Sequence, residues 1–447
     1  MSKTFCLYPF MNLNSNTEGS VKLCCSINEN IHVKGKDGKE LNFESHTLEE
    51  IWRSDYMKDI RNQMLAGERP EACDVCWRLE DMGLNSSRLS AWGEFKDLNI
   101  KLDEIKCEDP PLPSSLELRL GNFCNLRCNS CWSLSSDRIL NERKKMLKDK
   151  ELLGWMRAEF ESEVALAEAA NFAWWESPNF METVKKVAPT LKRLYLTGGE
   201  PTLIKKNIEV MQMILDAGNT DCYVALTTNL TNWDNDFFST MGKFKHGEFQ
   251  ISIDATGDKN WYIRFPTHWQ NVENNLAAIY HSFPVEWKIK HYTVLQVYNY
   301  DQVPEIIKWV RDQRKWWSTP ENLVNGMSNQ TERIHIWSPI ILDQPKQLNI
   351  RNMPLDVRLA AAEELEQFLN VEGPTLEESP NFWYKEGVQQ AIKYMRAGDE
   401  PNEYQWIKFF QYCDLIDKHR PNTSFAEVFP RLAALDPRKI IEDEDDR

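Results

Sequence analysis

Three thiols in Cys124-Asn-Leu-Arg-Cys128-Asn-Ser-Cys131 stand at a C-x3-C-x2-C spacing. Thiolates are soft ligands that suit zinc, copper(I) and iron–sulfur clusters. A structural zinc site closes with four ligands, usually from two C-x2-C pairs, so this triplet argues for a cluster instead. Three cysteines hold three corners of a four-iron, four-sulfur (4Fe-4S) cluster and leave the fourth iron open to do chemistry.

A second constellation precedes it: Cys6, Cys24, Cys25, Cys73 and Cys76. Cys73-Asp-Val-Cys76 is a ligand pair that Cys6 and Cys24 would complete to four thiolates. Spacing alone leaves a zinc ribbon open beside a cluster. On a strand, the adjacent Cys24 and Cys25 would point to opposite faces, so one of them ligates, and Cys24 is the candidate. Cys107, Cys222 and Cys413 are expected to be inert, partly buried thiols.

Apolar, β-branched runs alternate with helical patterns to place these residues: Leu116 to Leu120, Leu191 to Thr197, Tyr223 to Thr228, Phe249 to Asp254, Trp287 to Val297 and Ile334 to Ile341. Strands alternating with helices imply parallel βαβ units and an α/β fold. The cysteine triplet follows the first run directly. Between the first and second runs, residues 133–190 are rich in helix formers, Trp and Phe; this insertion is expected either to cap a substrate or to serve as scaffold. The Pro-rich Asp109 to Ser115 reads as a linker. From Pro354 onward, Asp356 to Leu369 and Glu403 to Asp417 read as amphipathic helices packed on the flank. The run Glu442 to Asp446 reads as an acidic tail.

A chain of 447 residues with 42% hydrophobic and 11% aromatic residues is globular and builds a sizeable core. Trp174-Trp175 and Trp316-Trp317 are expected either to line a pocket or, as the plainer reading, to fill interior space. A net charge of -15 argues against a broad phosphate-binding face and so against nucleic acid. The basic run Arg143 to Lys145 has acidic neighbours and reads as a solvated helix face. No apolar run approaches the ~18 residues of a membrane helix, and the start lacks a signal peptide's pattern. The expectation is a cytoplasmic protein without a membrane partner, whose clustered cysteines are metal ligands, not disulfides.

With Leu194-Tyr-Leu-Thr-Gly198-Gly199-Glu200-Pro201 behind it, the cysteine triplet resembles the radical S-adenosylmethionine (SAM) enzymes. The resemblance implies a partial (β/α)6, TIM-like barrel over 114–345 with the SAM-binding 4Fe-4S cluster on Cys124, Cys128 and Cys131. It places Gly198, Gly199, Glu200 and Pro201 beside the methionine amino group of SAM. Thr228, Asn229, Ser252 and Asp254 would meet the ribose, Arg264 the SAM carboxylate, and Gln296, Val297 and Asn299 the adenine side. The family's aromatic residue before the third cysteine is here Ser130, with Trp132 on the far side.

Cys6, Glu18 to Cys25, Leu48 to Ser54, Met57, Arg61 and Pro70 to Cys76 resemble the SPASM and twitch modules, which hold auxiliary 4Fe-4S clusters. The order resembles twitch-domain radical SAM proteins whose module, here residues 1–108, precedes the barrel. A helical extension, 346–447, follows it. Ligands Cys6, Cys24, Cys73 and Cys76 would hold the second, auxiliary cluster.

The implied activity is reductive cleavage of SAM to a 5′-deoxyadenosyl radical that takes hydrogen from a substrate. The implied partners are a reductant such as flavodoxin or ferredoxin and a peptide or protein substrate. A small metabolite, such as a sugar or nucleotide derivative, is the enzymatic alternative, and a non-catalytic iron–sulfur or zinc protein is the alternative of another class.

Overall fold

Ser115-Leu-Glu-Leu-Arg119, Arg193-Leu-Tyr-Leu-Thr197 and Gly247-Glu-Phe-Gln-Ile-Ser252 alternate polar with apolar residues. That period of two sends the two kinds of side chain to opposite faces of a strand. All three segments are strands in the computed structural model, which describes residues 3–28, 30–95, 98, 102–319, 332–372, 382–398, 401–422 and 424–439. The strands are β1 (Asn12–Ser15), β2 (Val21–Lys22), β3 (Ser115–Arg119), β4 (Arg127–Cys128), β5 (Arg193–Thr197), β6 (Tyr223–Thr228), β7 (Gly247–Ser252), β8 (Arg264–Phe265), β9 (Lys288–Leu295), β10 (His335–Ile341) and β11 (Phe382–Trp383).

Nine of them form one sheet in the order β11-β10-β9-β7-β6-β5-β3-β1-β2, and every pairing is parallel except β1 with β2. The helices between the parallel strands make this an α/β fold. β4 and β8 form a separate antiparallel pair. Each of the six runs expected from the sequence carries a strand, but Gly247–Ser252 begins and ends two residues earlier than Phe249 to Asp254, so Asp254 lies beyond the strand end.

Leu116, Leu118, Leu194, Leu196, Phe249 and Ile251 bury one face of the sheet in the core. The opposite face carries Glu117, Arg193, Glu248, Gln250 and Lys290, which are also buried. Buried charge is costly unless paired. Accordingly Lys290 Nζ lies 2.9 Å from Glu248 Oε2, Gln250 Nε2 donates to Glu248 Oε1 at 2.6 Å, and Tyr195 donates its hydroxyl to Gln250 Oε1 at 2.8 Å.

The segment ahead of the Pro-rich stretch joins this sheet, because Asn14 pairs with Glu117 between β1 and β3. The stretch itself is tied down: Trp52 Nε1 donates to Pro111 O at 2.9 Å. The insertion is built from the helices Asp137–Met146, Gly154–Ala169 and Pro178–Val187. Its Trp174 is fully buried and donates Nε1–H to Thr17 O at 2.9 Å, which ties the insertion to the amino-terminal hairpin.

Two expectations change. Arg143 is buried, not solvated: its guanidinium lies 4.0 Å over the Phe160 ring and donates to Tyr412 Oη at 3.1 Å. Trp316 is exposed, so that pair does not simply fill interior space. The longer carboxyl-terminal helices are Leu355–Val371, Lys385–Arg396 and Glu403–His419, the second of them not among those expected from the sequence, and the short helices Phe425–Val428 and Pro430–Ala433 follow. The acidic run 442–446 lies outside the described residues. Among the described residues no helix is long and apolar enough to cross a membrane.

Candidate active site

The cysteine loop leaves β3 and is pinned by the start of the next helix. Ser136 caps that helix, accepting from Ile139 N–H, and donates its hydroxyl to Leu126 O at 2.9 Å. Asp137, the first helical residue, accepts from Cys124 N–H at 2.9 Å. A carboxylate at a helix start is favoured by the helix dipole as well. Further on, Cys128 lies in β4 opposite Arg264 of β8, Asn129 N–H donates to Ile263 O at 2.8 Å, and Cys131 N–H donates to Cys128 O at 3.0 Å.

The turn after β5 packs directly on this loop. Gly198 has φ +118, and a Cβ on Gly199 would sit 2.2 Å from Phe123 O. Only glycine accepts that φ and that approach without strain. Glu200 N–H then donates to the same Phe123 O at 2.8 Å.

The Glu200 carboxylate is held at both of its oxygens. Oε1 accepts from Thr202 Oγ1 and Thr228 Oγ1, both at 2.8 Å, and Oε2 accepts from Asn229 N–H at 2.8 Å. Burial raises its pKa against these donors. Thr228 also accepts from Leu230 N–H, so its hydroxyl serves the turn. Asn229 Nδ2 donates to Asn125 Oδ1 at 2.9 Å, joining the end of β6 to the cysteine loop.

These elements enclose a cavity of about 270 Å³ lined by Cys124, Cys128, Cys131, Gly198, Gly199, Glu200, Thr228, Asn229, Ser252 and Arg264, with Ser130 and Trp132 beside them. Pro201, Asp254 and Val297 are not part of its wall. Pro201 O accepts from Asn207 Nδ2 at 3.0 Å, and Val297 is buried in the core. Asp254 is buried behind Arg264: its Oδ2 accepts from Arg264 Nη1 at 3.0 Å and its Oδ1 from Val294 N–H at 2.8 Å. Of the residues expected on the adenine side, Asn299 donates to Asp254 O and Val294 O, both at 2.9 Å, and Gln296 is buried.

Burial pushes all three thiols up, Cys131 to about 12, so thiolates there need positive partners. Among the described residues no three His, Cys, Asp or Glu side chains converge as ligands of one ion do. Thiolates of a cluster bind different irons and need not converge so. The residues fit such a group: the buried thiol of Cys124 and the half-buried thiols of Cys128 and Cys131 face one cavity, glycine backbone forms part of its wall, and the buried Asn129 Nδ2 lacks a hydrogen-bond partner among the described residues.

The amino-terminal thiols gather separately. Cys6, Cys24, Cys73 and Cys76 line one small cavity with Arg88, and Cys25 does not. Burial raises all four, Cys73 to about 12. Arg88 is held over them by Glu80, whose Oε1 accepts from Arg88 Nε at 2.9 Å, and it donates from Nη1 to Phe5 O at 3.0 Å. Arg61, buried 4.2 Å over Trp52, donates to Pro9 O at 2.8 Å and anchors the helix Asp55–Ala66.

Asn125, Asn129 and Asp137 join the site without being among the candidates expected from the sequence. Ser136-Asp137 is a legible helix start, whereas nothing local marks Asn125 or Asn129.

No curated protein matches this chain. Among solved structures, it is similar to native anSMEcpe with bound AdoMet at 15% identity, covering 58% of this chain and 61% of that one, with a TM-score of 0.32. It therefore spans less than two thirds of that chain's length. SuiB of Streptococcus suis bound to precursor peptide SuiA is similar at 12% identity, covering 72% of this chain and 64% of that one, with a TM-score of 0.33. Residues 118–310 match the model of the Radical SAM superfamily, and over that span the chain carries a radical SAM superfamily domain.

Proposed function

We propose that this protein is a radical SAM enzyme whose active site is the cavity between the cysteine loop and the ends of β5, β6 and β7. The observation that carries this reading is the meeting of Cys124, Cys128 and Cys131 with Gly198, Gly199, Glu200, Ser252 and Arg264 around one cavity. A cluster and SAM, when bound, supply a 5′-deoxyadenosyl radical that abstracts hydrogen from an unreactive carbon.

The chain's own residues would do the rest. The three cysteines hold three irons. The glycine backbone admits SAM closely, and Arg264, aimed by Asp254, offers a guanidinium fork to its carboxylate. Glu200 faces the amino group with one carboxylate edge while Thr228 and Asn229 hold it in place. Ser252 is the strand-end hydroxyl left for the ribose. The sheet's six parallel strands from β3 to β10 would form the partial barrel around this site.

Cys6, Cys24, Cys73 and Cys76 would hold an auxiliary 4Fe-4S cluster, the amino-terminal residues 1–108 being a twitch-like module. All four corners would then be taken, which suits electron transfer or shaping of the pocket. A peptide or protein is the substrate proposed, on the resemblance of that module to those of peptide-modifying enzymes.

Anaerobic reconstitution with iron and sulfide tests the reading, with iron counted per chain and 5′-deoxyadenosine release from SAM assayed under dithionite. About eight irons with release of 5′-deoxyadenosine, as two four-iron clusters require, support it. Bound zinc without SAM cleavage overturns it.

A further inference from the structure

Arg420 ends the helix Glu403–His419, far along the chain from the cysteine loop, yet it is buried against that loop. Its Nε and Nη2 donate to Glu142 Oε1 and Oε2 at 3.0 and 2.8 Å, and Nη1 donates to Asn129 Oδ1 at 2.7 Å. Glu142 also accepts from Arg127 Nη1 at 3.0 Å. Earlier on the same helix, Tyr412 donates its hydroxyl to Asn129 O at 3.3 Å. The residue after Cys128 is thus held at both of its oxygens from the carboxyl-terminal segment. The residue before it, Arg127, is held through Glu142.

One feature sets this apart from ordinary packing. A buried ion pair is a poor way to gain stability, since well-packed apolar side chains of similar volume do as well. Arg420 is fully buried, its pair with Glu142 is buried with it, and the same guanidinium reaches the residue next to Cys128. A thiolate-ligated cluster on that loop would be an anion beside this fixed positive charge.

We propose that Arg420, assisted by Tyr412, is a positioning residue for the cluster held by Cys124, Cys128 and Cys131, so that the carboxyl-terminal segment controls that cluster's retention and reduction potential. This rests on the radical SAM reading above. Groups around a metal site orient its ligands, and net charge nearby tunes a cluster's potential. A positive charge favours the reduced, more negative state, so removing it lowers the potential.

The test compares full-length Arg420→Gln, Arg420→Lys and Tyr412→Phe with the unaltered chain after reconstitution. Lys418→Ala, on the same helix, which removes the ion pairs of the exposed Lys418 ammonium with Asp149 and Glu151, is the control. Iron release to a chelator is followed, together with the midpoint potential of the paramagnetic signal that SAM perturbs, which isolates the open cluster from any other. Expected are a lower potential and about tenfold faster iron release in Arg420→Gln, the size seen when groups supporting metal ligands are lost. Arg420→Lys should recover the potential but not the retention, because an ammonium keeps the charge and loses the fork. Tyr412→Phe, which loses a single hydroxyl, should release iron faster with the potential little changed.

If Arg420→Gln fails to fold, Tyr412→Phe decides: iron release at the parent rate overturns the proposal. Potential and retention equal to the parent in Arg420→Gln also overturn it, as does the same change in Lys418→Ala. An unaltered chain that takes up no iron–sulfur cluster overturns the radical SAM reading instead, so the two failures are distinct.

Discussion

Cys128 and Arg264 are cross-strand partners, set opposite each other in the antiparallel pair of β4 and β8. The pairing brings the middle thiol of the triplet beside a guanidinium whose other neighbour, Asp254, lies just past the end of β7. One short ladder thus joins the cysteine loop to the far side of the cavity.

Cys128→Ala should therefore leave one cluster corner without a ligand and abolish 5′-deoxyadenosine formation, while circular dichroism and the melting transition stay those of a folded chain. Parent-level SAM cleavage in this variant would remove Cys128 from the proposed ligand set.

Gly199→Ala would press a methyl into Phe123 O, a main-chain atom that cannot swing aside. The expected cost is about 1–3 kcal/mol, the usual range for overpacking. SAM binding by calorimetry should weaken as well, because the carbonyl belongs to the loop that carries Cys124. Unchanged melting and affinity together would mean the turn moves more freely than its packing implies.

Asp254→Ala removes the carboxylate that pairs with Arg264 and accepts from Val294 N–H. Leaving a buried guanidinium unpaired costs about 3–5 kcal/mol, which urea unfolding should report as a lower midpoint. SAM affinity should fall too, since the fork loses its aim.

Cys76→Ala should lower the iron count and stop substrate turnover, yet retain some uncoupled SAM cleavage at the other site. Cys25→Ser is the informative partner, because Cys24 lines the amino-terminal cavity and Cys25 does not. Its iron count should equal the parent's. Loss of iron in Cys25→Ser but not in Cys24→Ser would exchange the two assignments.

Glu248 makes an acid-stability prediction. Burial alone would raise its carboxyl, but Lys290 and Arg193 hold it down at about 2. A carboxyl lowered on folding adds stability above its unfolded value, and this is lost as pH falls from there toward the folded value. Resistance to urea should accordingly fall as the pH drops from about 4.5 to about 2, the ordinary and the folded values. Glu248→Gln should flatten that part of the profile; an unchanged slope would place the acid sensitivity elsewhere.

The positions of six parallel strands were legible because alternating apolar residues declare themselves locally, as Leu116 and Leu118 do. What the pattern does not say is what the polar face is for. Glu248 and Lys290 look like solvent-facing strand residues in sequence, and they are buried because neighbouring strands of the same sheet bring them together as partners. The joining of β1 to β3 was likewise invisible, since no local signal says that Asn14 will pair with Glu117.

At the site, cysteine spacing and the Gly-Gly-Glu-Pro turn are statements about ligand chemistry and backbone freedom, which residue types decide by themselves. The tertiary structure decided which groups face the cavity and which stand behind them. It put Asp254 behind Arg264 and turned the Thr228 hydroxyl onto Glu200, and it separated Cys24 from Cys25. It also carried Arg420 to the neighbours of Cys128. Such relations depend on distances between residues remote in the chain, and those distances exist only once the sheet and its helices have packed.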